Sequence, residues 1–145
     1  MANSRPDLDQ YFLNIAAVVA TRATCDRAQI GAVLVKDKYI ISTGYNGAPH
    51  GLSHCDDIGH LMENDHCVRT THAEQNAIIQ AAVHGSSTKD ATLYCTHSPC
   101  KICVKIILNA HIKRVVAHSM YRDASVVDLF TQAGVEFVIF PAVAV

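Results

Sequence analysis

His72, Cys100 and Cys103 are the side chains of this sequence whose types and spacing best suit a metal ion. The two cysteines stand three apart in Pro99-Cys100-Lys101-Ile102-Cys103, so at the start of a helix both sulfurs lie on one face. Zinc accepts two thiolates and an imidazole, and three protein ligands leave the fourth tetrahedral position open for water, as in a catalytic site. Glu74, two residues beyond His72, offers a carboxylate that can move protons without joining the metal shell. Spacing alone therefore describes a zinc hydrolase.

Taken singly, each residue has a plainer explanation. Glu74 also suits the third helical position of a capping box opened by Thr71. An isolated Cys-x-x-Cys is also half of a structural zinc site or a redox pair, and a histidine at a helix start is commonly just a partly exposed side chain. His72-Ala73-Glu74 and Pro99-Cys100-x-x-Cys103 each open a helix, with one strand between them, and together they favour the catalytic reading.

The elements that must position these residues follow from periodicity. Ser4-x-x-Asp7 reads as a capping box with Pro6 in the first turn, and Leu8, Phe12, Ile15 and Val19 recur at helical spacing, ending near Ala23. Residues 30–36 and 39–44 read as a β-hairpin around Asp37-Lys38, a two-residue turn that lacks the favoured glycine. Residues 46–70 lose all periodicity, and a loop of that length in a small domain is expected to be internally tied. A helix begins at Thr71 and stops near Gly85. A strand covers 91–96, a helix runs from Ser98-Pro99 to about Ala110, a strand covers 114–118, a helix covers 125–133 before Gly134, and a last strand covers 135–140. The order α-β-β-α-β-α-β-α-β implies an α/β fold, a three-layer α/β/α sandwich whose later strands run parallel through right-handed crossovers. In such sheets sites gather beyond the carboxyl ends of the strands, so both motif segments belong on one rim.

Composition narrows the partners. A chain of 145 residues, half of them hydrophobic, is one domain with a proper core. Its net charge of −1, with both signs interspersed, lacks the basic bias of a protein that grips long nucleic acids, so a small substrate is expected. No apolar run reaches the roughly 20 residues of a membrane span, and Met1-Ala2-Asn3-Ser4-Arg5-Pro6-Asp7 has no signal-peptide architecture, so the expected location is cytoplasmic. Six cysteines in a reducing compartment read as metal ligands, reactive groups or small core residues, the last suiting Cys95 within its strand. Cys55, Cys67, His50, His54, His60, His66 and His72 crowd one segment, a density that calls for metal.

Gly44-Tyr45-Asn46-Gly47-Ala48-Pro49, Cys67-x-x-x-x-His72-Ala73-Glu74-Gln75-Asn76-Ala77-Ile78 and Thr92-Leu93-Tyr94-Cys95-Thr96-His97-Ser98-Pro99-Cys100 together resemble the zinc-dependent cytidine and deoxycytidylate deaminase superfamily, and within it the deoxycytidylate deaminases of bacterial and phage type. The resemblance covers residues 21–137 or so. It implies a cytidine deaminase-like fold with a central mixed five-stranded sheet, residues 1–145 forming a single deaminase domain. It implies hydrolysis of dCMP to dUMP and ammonia on Zn2+ held by His72, Cys100 and Cys103, supplying dUMP for thymidylate synthesis. Glu74 would take a proton from the attacking water, pass it to ring N3 and later protonate the departing amine.

By the same resemblance, Asn46, Ala73 and Tyr121 would contact substrate, and Gly44, Tyr45, Asn46 and Gly47 would serve an allosteric nucleotide, dCTP activating and dTTP inhibiting, with Mg2+ as its companion. A homo-oligomer, a hexamer, is implied. A second, structural zinc would use Cys25, Cys55, Cys67 and either His60 or His66. Asp26 and Ala28 depart from the basic run the resemblance implies around Arg27. Arg27, Arg69 and Arg122 suit phosphate by their chemistry.

Overall fold

Asp7 starts the first helix by accepting a hydrogen bond from the backbone N–H of Gln10 at 2.9 Å, so α1 spans Leu8–Ala20. Pro6 therefore lies ahead of the helix, and the cap is Asp7 instead of the Ser4 box read from sequence. The helix also stops short of Ala23, because both the N–H and the hydroxyl of Thr21 turn back onto the Val18 carbonyl. The computed structural model describes residues 4–120 and 124–141.

β1 (Gly31–Lys36) and β2 (Tyr39–Tyr45) form the expected hairpin. Asp37 and Lys38 both take left-handed conformations, φ 51° and 69°, which is a type I′ turn made without glycine. The register shifts so that Leu34 faces Ser42 and Val35 faces Ile40, leaving Ile41 as a bulge. β5 (Thr92–His97), β6 (Arg114–Ser119) and β7 (Glu136–Ile139) complete a sheet in the order β2-β1-β5-β6-β7. β1 is antiparallel to both neighbours, whereas β5, β6 and β7 run parallel. The sheet is thus mixed and five-stranded.

Both faces are covered, which is why the central strands read as unbroken apolar runs. Phe12, Leu13 and Ala16 of α1 pack on Val33, Val35, Tyr94 and Val116. The opposite face, built on Ala32, Leu34, Leu93, Cys95 and Val115, carries α3 (Ala73–Val83), α4 (Lys101–Asn109) and α5 (Val126–Ala133). Three layers result, one helix on one side and three on the other. Gly134, at φ 73°, ends α5 in the left-handed conformation that glycine adopts most readily. No helix among the described residues is long and apolar enough to cross a membrane.

The long segment has structure of its own. It holds a single helical turn, α2 (Cys55–Ile58), and a two-stranded ribbon, β3 (Met62–Glu63) and β4 (His66–Cys67). Its two ends are fastened where Gly47 and Thr71 exchange backbone hydrogen bonds of 3.2 and 2.8 Å. His54 Nδ1 reinforces the entry, meeting Thr24 Oγ1 at 2.8 Å and the Ala48 N–H at 3.2 Å.

Arg114 joins four elements. Its guanidinium grips Asp9 of α1 with two hydrogen bonds of 2.7 and 2.8 Å and reaches Glu136 of β7, while Tyr94 of β5 donates to the same Asp9 carboxylate. The Arg114 hydrogen bond holds Asp9 below its ordinary pKa of 3.8 against the effect of burial. A carboxylate with a depressed folded pKa adds stability that is complete well above its unfolded pKa and is lost as pH falls through the folded one. Asp9→Asn is therefore expected to lower stability by about 2 kcal/mol at pH 7, with the gap between variant and wild type closing below about pH 4, as thermal melts at several pH values would read.

Candidate active site

α3 and α4 begin at the same place on the sheet rim, and each opens with a residue of the motif. His72 caps α3, its backbone N–H bonding the Gln75 side-chain oxygen at 2.9 Å. The reciprocal partner is thus Gln75, and the Thr71–Glu74 box read from sequence does not form, which leaves the Glu74 carboxylate free of capping. Cys100 caps α4 through its sulfur, which accepts from the Cys103 N–H at 3.5 Å.

His72 Nδ1 lies 3.3 Å from Cys103 Sγ and 3.5 Å from Cys100 Sγ. Zinc–sulfur and zinc–nitrogen bonds of about 2.3 and 2.0 Å at tetrahedral angles put such atoms about 3.5 Å apart, so the donor set fits zinc with one position left over. Before any cation is bound, the two thiols differ in proton affinity. The hydrogen bond with Cys103, helped by His72, pulls Cys100 down to about 4. The same contact and burial push Cys103 up, and the Cys100 contact raises His72. A bound cation would displace those protons.

Glu74 is 4% exposed and lies against the Cys103 thiol. Burial raises its pKa, opposed by its own backbone N–H and by His72. A carboxyl held this way can both accept and return a proton. Cys95 lies fully buried in the strand between the two motifs, as its small apolar character suggested.

What sets α3 at this height is Gly44 of β2. A Cβ there would stand 2.3 Å from the Ala73 carbonyl oxygen and 2.4 Å from the Ala77 nitrogen, so only glycine lets the helix backbone ride directly on the strand. Ser42 Oγ donates to the Ala77 carbonyl at 2.7 Å and Asn76 donates to the Tyr45 carbonyl at 2.8 Å, fixing rotation as well as height. Gly44→Ala is expected to displace the first turn of α3, lowering Tm by several degrees and turnover by about tenfold or more. A melt and a rate on the same preparation check both.

In front of these residues opens a cleft of about 650 Å³, within the range of small-molecule sites. Ala73, Glu74, His72 and Cys100 form its floor, and Asn46 a wall. The Asn46 amide is engaged, accepting from Ile30 N–H at 2.8 Å and donating to the Ala28 carbonyl at 2.6 Å, so it also shapes the 28–30 turn. Of the residues 44–47 read as an effector segment, Gly44, Asn46 and Gly47 are buried. Tyr121 and Arg122 lie outside the described residues. Arg27, His66 and Lys101 bring basic side chains to the cleft, whereas Arg69 is turned to the Gly59 carbonyl at 2.9 Å.

A second cluster borders the cleft. Cys25, Cys55, His60 and Cys67 place one donor atom each within 4.8 Å of the others. Cys55 and Cys67 sulfurs are 3.5 Å apart, and His60 Nδ1 is 3.4 Å from Cys25 Sγ. His60 thus takes the fourth place, and His66 lies outside the cluster and lines the cleft. Burial, with contacts from Cys67 and Cys25, pushes Cys55 up to about 12. For Cys67 burial acts upward too, but the backbone N–H groups of Arg69 and Leu61 and the Cys55 contact draw it down to about 6. Sequence reasoning missed Asp26, which meets His60 Nε2 at 3.0 Å and so leaves Nδ1 aimed at the sulfurs. A carboxylate next to a suspected ligand was the only signal available for it.

Residues 6–119 match the model of the cytidine and deoxycytidylate deaminase zinc-binding region. ComE operon protein 2 of Bacillus subtilis is 46% identical over 128 residues, 88% of this chain and 68% of that protein. The deoxycytidylate deaminase of Schizosaccharomyces pombe is 36% identical over 142 residues, 91% of this chain but 44% of that protein. Among solved structures, the dCMP deaminase of cyanophage S-TIM5 in complex with dCMP and dUMP superposes with a TM-score of 0.84 at 31% identity, covering 95% of this chain and 100% of its own.

Proposed function

Because the chain belongs to the cytidine and deoxycytidylate deaminase family, we propose that it is a single-domain, cytoplasmic enzyme that hydrolyses dCMP to dUMP and ammonia. The observation that carries this reading is Glu74, buried beside a three-ligand zinc-type cluster at the floor of a cleft of nucleotide size. A structural metal site has no use for that carboxylate. The phage enzyme whose structure holds dCMP and dUMP, so close in fold, supports the choice of substrate.

In this reading His72, Cys100 and Cys103 hold the catalytic zinc. Bound there, zinc supplies the Lewis acidity that makes water nucleophilic near neutral pH. Glu74 takes the proton from the attacking water, hands it to ring N3 so that C4 becomes electrophilic, and then delivers a proton to the departing amino group. Its raised pKa suits a group that must return what it accepts. Ala73 and Asn46 position the base and sugar against it, and Tyr121 is assigned to the phosphate end. Ammonia release from dCMP tests the assignment. Glu74→Gln is expected to retain zinc and fold while losing about 10²- to 10⁴-fold in turnover; a variant with near wild-type rates would remove Glu74 from the role. Adding dCTP, dTTP and Mg2+ to the same assay tests the effector segment 44–47, activation by the first nucleotide and inhibition by the second being expected. Supply of dUMP to thymidylate synthesis and assembly into a hexamer belong to the same proposal.

Cys25, Cys55, His60 and Cys67 are assigned to a second, structural zinc, since four closed ligands at these separations suit that metal and account for an ordered loop. Metal analysis after dialysis should find close to two zinc ions per chain. In Cys67→Ser the content should fall toward one, with a lower melting temperature and reduced activity, although no catalytic ligand has changed. Two ions retained at wild-type stability would break the link.

A further inference from the structure

We propose that Asn76 is the positioning residue that keeps the sugar side of this cleft in register with its zinc-bearing floor, an assignment that rests on the dCMP deaminase reading and adds a residue acting through two others. Its side-chain Nδ2 donates to the Tyr45 carbonyl at 2.8 Å and to the Thr71 carbonyl at 3.4 Å. An amide NH2 carries two hydrogens, so one group serves both acceptors. Tyr45 immediately precedes Asn46, on the wall of the cleft, and Thr71 immediately precedes His72, on its floor.

The backbone bonds around these two residues lead to the same place. The Asn76 N–H donates to the His72 carbonyl at 2.9 Å, and the His72 N–H goes to Gln75 Oε1 at 2.9 Å. The peptide groups on both sides of His72 are thus held by Gln75 and Asn76. On the other side, Gly47 exchanges backbone hydrogen bonds with Thr71, so Asn46 hangs between two ties that both end at the start of α3. The Gly47 tie is made by backbone alone, whereas the Tyr45 tie depends on one amide side chain. Anchoring the helix does not require it, since Gly44 and the Ser42 hydroxyl already hold Ala77 against β2. What Asn76 adds is a fixed separation between Asn46 and His72, and a misplacement of about 1 Å at a reacting centre can cost about a hundredfold in rate.

The test measures kcat/KM for dCMP, calorimetric affinity for the product dUMP, zinc retention against a chelator and Tm in the zinc-loaded wild type, Asn76→Ala, Asn76→Asp, Asn76→Ser, Asn46→Ala and the double variant Asn46→Ala/Asn76→Ala. Asn76→Asp keeps the shape but turns an acceptor toward two carbonyls, and should lose about ten- to a hundredfold in kcat/KM, with dUMP affinity falling as well and the catalytic zinc retained. Asn76→Ser, a single donor of shorter reach, should keep part of the activity. Because Asn76 acts through Asn46, adding Asn76→Ala to Asn46→Ala should cost little more in dUMP affinity than Asn46→Ala alone. Should Asn76→Ala not fold, Asn76→Ser takes its place in that cycle. A lower Tm with kcat/KM and dUMP affinity unchanged, or losses that multiply in the double variant, would overturn the assignment while leaving the enzyme a dCMP deaminase. A wild type that does not turn over dCMP would instead remove the proposed function, and this inference with it.

Discussion

The approach of α3 to the sheet is the constraint on which the rest of the structure depends. Two helix N-termini must meet at one point if a histidine from one and two cysteines from the other are to share an ion. α4 reaches that point directly from the end of β5, but α3 arrives after a long excursion and has no such guide. Gly44 supplies it, by letting the helix backbone rest on the strand with no side chain between. A second glycine, Gly31, does the same for α1 on the opposite face, where a Cβ would meet the Ala16 carbonyl oxygen at 2.0 Å. The layers are thus held at a spacing set by backbone contact, which yields far less than side-chain packing does.

Electrostatics then make the meeting point chemically useful. The N-terminal ends of α3 and α4 both present partial positive charge, which favours thiolate at Cys100 before any cation is considered. Glu74 sits in the first turn of α3, in the same field but buried from water, so burial outweighs the helix and keeps its proton affinity high. Two acidic groups on one rim are therefore driven in opposite directions, Cys100 downward by its hydrogen bonds with Cys103 and His72 and Glu74 upward by burial. A thiolate is what a metal site needs, and a carboxyl that holds its proton is what acid–base chemistry needs.

Much of this was legible beforehand. The order of elements along the chain and the parallel direction of the later strands followed from apolar runs alternating with helical patterns, and the donors of the first cluster from spacing. Precise helix starts were not, because capping depends on which side chain turns back: Asp7 instead of Ser4, Gln75 instead of Glu74. The choice of His60 over His66 was equally out of reach, since it depends on how the short ribbon folds back and no periodicity marks so short an element. Asp26 was visible only as a charge near a cysteine, and Arg27 as a side chain suited to phosphate; the contacts of both were not. Their partners, His60 and Asp65, lie more than thirty residues away, and a pairing of that range leaves no local pattern.

The reciprocal hydrogen bonds between Gly47 and Thr71 bring the two ends of the long excursion side by side. A change in length between them is therefore tolerated by the sheet, since lengthening or shortening a closed loop changes its closure entropy only logarithmically. One wall of the cleft thus behaves as an interchangeable part. Its length and composition can drift, and with them the choice of ligand, while the floor that carries the chemistry keeps its geometry. Thr24, Cys25, Asp26 and Arg27, reaching in from outside the loop, limit how far that drift can go.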